Sequence, residues 1–400
     1  MNMREFCLRL HRWFGLAGAA FFVLIGLTGS VLAYYEELDG WMNPQFLAPD
    51  RPDQAKLELA TLAERAQTLA PEVQVVEATW RNQGRQAEIR TRAWPETPPA
   101  ADPGFDSILL DPWTGEELGR RTWGDIRQGW TNFVPFIYRL HYELALGHPG
   151  MLLLGFVALG WTLDCFIGLF LTLPRPTTQG NARAGWWHRL SFAWRIKHPA
   201  SGIRRIFDLH RAFSLWCWAV LLVFAWSSVS LNLPAVYEPV MRLLTGYAPP
   251  TMQAKTSAIK PQLSWSAAQH RARALMKQET SDQGFTMHHE VMLRFVAEQN
   301  LWLYRTHTSR DVLDRRGASD LYFDASTGAF QDFRLPTGEQ AGTTATSWLH
   351  ALHVANVWGW PWRVVVALLG LTLAMLSVTG VLIWQRKRRA RLILSGDLLG

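Results

Sequence analysis

The chain has 400 residues, 48% of them apolar and only 18% charged, with a net charge of +7 and 21 tryptophans. Globular chains carry about a quarter charged residues, and tryptophan collects at membrane–water interfaces, so a set of ordinary soluble domains is excluded, as are disorder, collagen and a disulfide scaffold. The three cysteines, Cys7, Cys165 and Cys217, lie in or beside apolar runs without CxxC spacing, which rules out a c-type haem attachment, an all-thiolate zinc site and a four-thiolate iron–sulfur cluster.

In chain order, residues 1–35 open with Arg4, Arg9 and Arg12 and continue as 23 uncharged residues from Trp13 to Tyr35. About 20 apolar residues cross the hydrocarbon core. This run is too long for a signal peptide, and Leu32-Ala33-Tyr34 is a poor cleavage site, so an uncleaved membrane helix is predicted. Residues 36–148 read as a small α+β domain with a helix over Leu57–Leu69 and strands over Val73–Trp80, Ala87–Thr91 and Ser107–Leu110. Residues 149–173 form a second span whose one charge is Asp164. Residues 174–211 are a basic loop in which Trp186, Trp187 and Trp194 suggest an interfacial amphipathic segment.

The uncharged run 212–233 is a third span. Residues 234–349 read as a second α+β domain, with a helix over Ser266–Met276, strands over Val291–Ala297, Leu301–Thr306 and Leu321–Asp324, and a polar linker from Gly338 to Thr346. Residues 350–384 hold a lead-in and the fourth span, Val364–Trp384, before a basic tail, 385–400. The predicted fold is an α-helical integral membrane protein: a four-helix bundle with two small α+β domains outside the bilayer.

Charge orients this bundle. Residues 1–12, 174–211 and 385–400 hold 16 Lys and Arg against only Glu5, Asp208 and Asp397. By the positive-inside rule both termini and the middle loop are cytoplasmic. The two long loops then face the other side of the membrane, which in a Gram-negative cell is the periplasm. The basic surplus is thus topological: the lipid bilayer is the partner it implies, and nucleic acid is not.

The sequence also repeats itself. Leu10-His11-Arg12 returns as Leu209-His210-Arg211, Asp111-Pro112-Trp113-Thr114-Gly115 as Asp324-Ala325-Ser326-Thr327-Gly328, and Leu140-His141 as Leu352-His353. At the last displacement Gly147 falls on Gly359, Pro149 on Pro361 and Gly168 on Gly380. The unit is helix, loop domain, helix, present twice in parallel, unlike the inverted repeats common in transporters.

Four of the twelve histidines occupy duplicated positions at the mouths of spans: His11 and His210 at the cytoplasmic ends, His141 and His353 on the periplasmic side. Two imidazoles facing each other across a bundle are what a six-coordinate haem iron requires. A flat ring also needs small neighbours on the same helical face, four and seven residues on. Gly15 and Gly18 after His11, and Ser214 and Cys217 after His210, meet this; Ala145 and His148 after His141 meet it in part, and Val357 and Trp360 after His353 do not. Arg12, Arg211, Arg139 and Arg363 stand near for propionates. The plainer alternative is a snorkelling or capping role for each histidine, which the repeat register disfavours. His350 is a rival to His353 on nearly the same face; the register favours His353. His188, His198, His270, His288, His289 and His307 read as ordinary surface residues. Asp164 is an acid within a span, expensive there and a functional candidate; it suits a proton path, a quinol site, or a structural hydrogen bond to the Ser227, Ser228 and Ser230 group. No catalytic residue is otherwise assigned.

Leu10-His11-Arg12, Asp208-Leu209-His210-Arg211, Leu140-His141 six before Gly147, and His353 six before Gly359 together resemble the PepSY-associated transmembrane family of iron-regulated inner-membrane proteins. The resemblance covers nearly the whole chain, and it implies that the two loop domains are PepSY-like. It implies a siderophore reductase with two b-type haems ligated by His11, His141, His210 and His353. The chain departs from the family at His353-Val354-Ala355, where members often carry His-Thr-Gly. The implied function is transmembrane electron transfer that reduces ferric siderophore in the periplasm and releases Fe(II) to other iron-uptake proteins. No GxGxxG follows a strand, and only sixteen residues follow the last span, so a separate donor, quinol or a reductase protein, is expected. Rival readings are a transporter of the intact ferric siderophore, which predicts uptake without haem, and a non-catalytic PepSY-type sensor or inhibitor, which predicts no need for His11 or His210.

Overall fold

The computed structural model describes residues 2–94, 103–174, 185–198, 202–247 and 260–396. The remainder of the basic loop and tail, Asp397 included, lies outside the described residues. The chain begins with α1 (Met3–Leu32), which turns at Ala33 and Tyr34 into α2 (Tyr35–Met42) and is followed by α3 (Leu59–Leu69). Strands β1 (Val73–Arg81), β2 (Gln86–Ala93), β3 (Ser107–Leu110) and β4 (Glu117–Arg121) come next, then α4 (Phe133–Glu143) and α5 (His148–Thr172). Beyond them lie α6 (Trp186–Ser191), α7 (Gly202–Trp216), α8 (Trp218–Asn232), α9 (Pro234–Thr245) and α10 (Trp265–Gln283). The chain closes with β5 (Met287–Val296), β6 (Leu301–Thr308), β7 (Ser319–Asp324), β8 (Phe330–Arg334), α11 (Ala341–His353) and α12 (Gly359–Gly396).

Helices α1, α5 and α12 are each long and apolar enough to cross a membrane, while α7 and α8 pass that test only as a pair bent by 68°. The third span expected over 212–233 thus corresponds to the end of α7 and the whole of α8, with a break in the helix at Cys217. At the break Cys217 leaves the helical region, with φ −96° and ψ 1°.

The α1–α12 crossing depends on glycine. A Cβ at Gly26 would lie 2.5 Å from the Gly370 carbonyl oxygen, and one at Gly370 would lie 2.3 Å from that of Gly26. Ser30 adds a hydroxyl bond of 2.8 Å to the Ala367 carbonyl. Without a hydrophobic drive between helices in lipid, close backbone approach of this kind supplies the packing. Gly26→Val is expected to cost about 1–3 kcal/mol through overpacking, read as earlier thermal unfolding in detergent.

Outside the bundle, the two predicted loop domains prove to be one. Their strands form a single antiparallel sheet ordered β4-β3-β2-β1-β5-β6-β7-β8. The joint is β1 against β5, pairing Glu77 with Arg294, Ala78 with Leu293 and Thr79 with Met292. One face buries a continuous core: Leu59, Leu62 and Ala66 of α3 and Ala272, Leu275 and Met276 of α10 cover Ile89, Leu293, Trp302 and Phe323. Polar contacts tie the halves as well, since Gln269 accepts from the Ala60 N–H at 2.9 Å and Arg273 bridges Glu58 and Glu290. A three-residue strand joint could not hold two separate cores together, but a shared core makes the halves one unit.

Strands β4 and β8 escaped the sequence reading because Glu117–Arg121 and Phe330–Arg334 lack β-branched residues. The helices α2, α4, α9 and α11 were missed too. The polar linker expected over Gly338–Thr346 is mostly the start of α11.

Candidate functional site

Four imidazoles form two pairs. His11 of α1 faces His210 of α7 with ring centres 6.2 Å apart, and His141 of α4 faces His353 at the end of α11 at 6.4 Å. His11 lies near the start of α1, whereas His141 bonds to Thr28 and lies against Gly29 near its end. At 1.5 Å rise per residue the pairs are roughly 25 Å apart along that helix.

Every Nδ1 is engaged. That of His210 is 3.0 Å from both the Leu376 carbonyl and the Thr379 hydroxyl, and that of His11 is 2.9 and 3.0 Å from the two carboxylate oxygens of Asp164. His141 Nδ1 meets Thr28 Oγ1 at 2.9 Å and His353 Nδ1 meets Ser227 Oγ at 2.7 Å. These hydroxyls give their own protons to backbone carbonyls, Thr28 to Leu24 and Ser227 to Phe224, so they accept from the imidazoles. In all four rings Nδ1 is thus held by an acceptor, which leaves Nε2 as the nitrogen free of a protein partner and able to meet a metal.

The spacing suits one metal centre between each pair. Imidazoles trans on a metal have ring centres roughly 6 Å apart, from bonds of about 2 Å and about 1 Å from nitrogen to ring centre. Glycines let the rings approach the helices: a Cβ would stand 3.1 Å from His141 Cε1 at Gly29, 3.4 Å from His210 Cε1 at Gly380 and 3.9 Å from His11 Cε1 at Gly168. Of the small residues expected after each histidine, Gly15 faces open space and Gly18 is buried against Phe22. The helical-face argument fails for the other pair, because α4 ends at Glu143 and α11 at His353. Ala145, His148, Val357 and Trp360 thus do not continue those helices. Leu144, Ala145 and Ala355 take left-handed backbone instead, with φ of 54°, 54° and 53°. Ala355 stands where the resemblance expects glycine, the residue that bears positive φ without strain.

His141 and His353 line a cavity of about 890 Å³ between the bundle and the sheet, walled by Gly26, Gly29 and Gly370 below and by Arg305, Arg315 and Arg316 above. His350 also lines it, but His353 is the one opposite His141. Three of the four arginines expected to meet anionic groups are already paired: Arg139 with Glu143, Arg211 with Asp208 and Arg363 with Glu37. The fourth, Arg12, has a buried Nε without a hydrogen-bond partner. Asp164 does not reach the Ser227 group; His11 is its partner. Among the remaining histidines, His307 is half-buried rather than solvent-facing, with Nε2 donating to the Leu313 carbonyl. The orienting roles of Thr28 and Thr379 had no sequence signal beyond a hydroxyl within an apolar run.

No group of three or more His, Cys, Asp or Glu among the described residues is placed to hold a metal ion. The model of one family, described as the PepSY-associated TM region, matches residues 8–387. The chain belongs to that family. The match takes in both histidine pairs, the sheet and the helices long enough to span a membrane. No curated protein matches the chain.

Proposed function

We propose that this PepSY-associated membrane protein is an inner-membrane reductase for ferric siderophores, holding one b-type haem between His11 and His210 and a second between His141 and His353. The observation that carries the reading is the spacing of the two imidazole pairs, 6.2 and 6.4 Å, at opposite ends of one helix. Other features fit the same group. Each imidazole has its Nδ1 engaged by the protein and its Nε2 free, the unpartnered Arg12 Nε beside His11 suits a propionate, and the 890 Å³ cavity falls within the usual range for ligand sites, about 300–1,000 Å³.

In this reading α7 and α8 make a fourth span and the two halves of the chain are parallel copies. The basic ends face the cytoplasm and the sheet lies in the periplasm. Two bound haems supply one-electron carriers at the two faces of the membrane. The protein orients the imidazoles through their Nδ1 bonds and keeps water from the bundle. On the sheet side the cavity is lined by Arg305, Arg315 and Arg316, paired with Asp320, Glu36 and Glu37, and an oxygen-rich chelate would exchange with those carboxylates for the guanidiniums. One electron added to Fe(III) weakens its hold on hard oxygen donors, so Fe(II) leaves and passes to other uptake proteins without import of the chelator. The electron comes from a separate donor, quinol or a reductase protein. The test is anaerobic: dithionite-reduced protein, freed of excess reductant, is mixed with a ferric hydroxamate and an Fe(II)-trapping dye. Re-oxidation with two Fe(II) trapped per chain is expected; haem that stays reduced against every ferric chelate tried would contradict the assignment.

A further inference from the structure

We propose that Asp164 is the positioning residue of the His11–His210 pair, and that its carboxylate sets the haem held there at a lower midpoint potential than the haem held by His141 and His353. This rests on the haem reading above. An acid inside a span is costly, and this one directs both oxygens at a single partner, the Nδ1–H of His11, at 2.9 and 3.0 Å. Its side chain is only 15% exposed, so the charge acts through a low dielectric rather than through water.

The other three imidazoles donate to neutral oxygens: Thr28 for His141, Ser227 for His353, and the Leu376 carbonyl with Thr379 for His210. The comparison with His210 isolates the carboxylate. At the displacement that carries His141 onto His353, Asp164 falls on Leu376 and Gly168 on Gly380. Both glycines sit beside the Cε1 of the ring in question. One station on α5 and its counterpart on α12 thus hold the two rings of one pair, by a carboxylate on one side and a backbone carbonyl on the other. A structural acid would be satisfied by any donor. One aimed at the second nitrogen of a ligating histidine raises that ligand's basicity. More electron density on the ligand, and a negative charge nearby, favour Fe(III) over Fe(II) and lower the potential. A low potential at the His11 end and a higher one beneath the sheet makes electron flow toward the sheet downhill.

Redox titration of purified wild-type protein and Asp164→Asn, followed by visible absorbance, tests this. The carboxamide keeps an acceptor for Nδ1–H while removing the charge. The expected result is full haem content with one of two midpoint potentials raised by at least tenfold in the equilibrium constant, about 59 mV for one electron, and the other unmoved. A His353→Ala background identifies which haem moved. Two unchanged potentials with haem retained would overturn the inference and leave the haem reading intact, whereas no haem in the wild-type protein would end both. If Asp164→Asn fails to hold its haem, the wild-type titration decides alone: two haems that titrate together, or a lower potential for the His141–His353 haem, overturn it.

Discussion

Replacing His353 by alanine should leave the purified protein with one b-type haem in place of two, while His350→Ala retains both. The two histidines are three residues apart at the end of α11 and both line the sheet-side cavity, so proximity alone does not choose between them. Orientation does. His353 stands 6.4 Å from His141 and donates Nδ1–H to Ser227 at 2.7 Å. The ring of Phe224 stacks on it at 5.0 Å, fixing its plane. If His141 and His353 hold a haem between them, no neighbouring side chain is placed to replace the lost imidazole, so loss of that haem should be near complete. Ser227→Ala, which removes only the orienting acceptor, should weaken haem retention by about 10–100-fold, the usual cost of losing such a partner. Haem content per chain, measured on each variant, checks both statements.

Glu88→Gln should destabilise the sheet by about 3 kcal/mol at neutral pH, and the difference from wild type should vanish in acid. Glu88 sits on β2 with its side chain 4% exposed and bonds to Arg81 at 2.7 Å. Burial by itself would push the carboxyl up, but the guanidiniums of Arg81, Arg90 and Arg121 outweigh it and hold the group at about 2, against an ordinary value of 4.5. A folded value below the unfolded one means that stability is fully present above about 4.5 and is lost as pH falls toward 2. The network lies on the sheet face turned toward the bundle, where Arg81, Glu88, Arg90 and Arg121 line a second cavity of about 250 Å³ with Tyr35 and Asp39 of the adjoining segment. It therefore also locks the sheet onto α2, the helix that follows α1, through the buried Arg121–Asp39 pair at 3.1 Å. Thermal unfolding of the two proteins between pH 7 and pH 2 would show converging curves; a constant offset would place the stabilisation elsewhere.

The spans and the inner strands were legible because their signals are local. A 23-residue uncharged run cannot be much else, and Val73–Arg81 or Leu301–Thr308 carry the β-branched and aromatic residues that suit a half-buried pleat. What failed was non-local. Nothing in Glu77 or Arg294 alone announces that β1 and β5 pair across more than two hundred residues and fuse two domains into one sheet. The bend at Cys217 was hidden because hydropathy records that the run 212–233 is uncharged and largely apolar, not the direction its backbone takes. The histidine pairs were found through the repeat: matched positions at matched depth are a constraint that sequence does record. Their orienting partners were not, since each lies on another helix. Asp164 was noticed for its cost within a span, yet its partner His11 is 153 residues away, beyond any reading by spacing.

The central claim, that two facing imidazole pairs hold two haems, is tested most directly by a pyridine haemochrome count and a reduced-minus-oxidised spectrum of the detergent-purified, full-length chain. Two b-type haems per chain, each with the absorbance of a six-coordinate low-spin iron, are the predicted result. A chain that purifies folded and without haem, even when expressed with haem supplied, would contradict it.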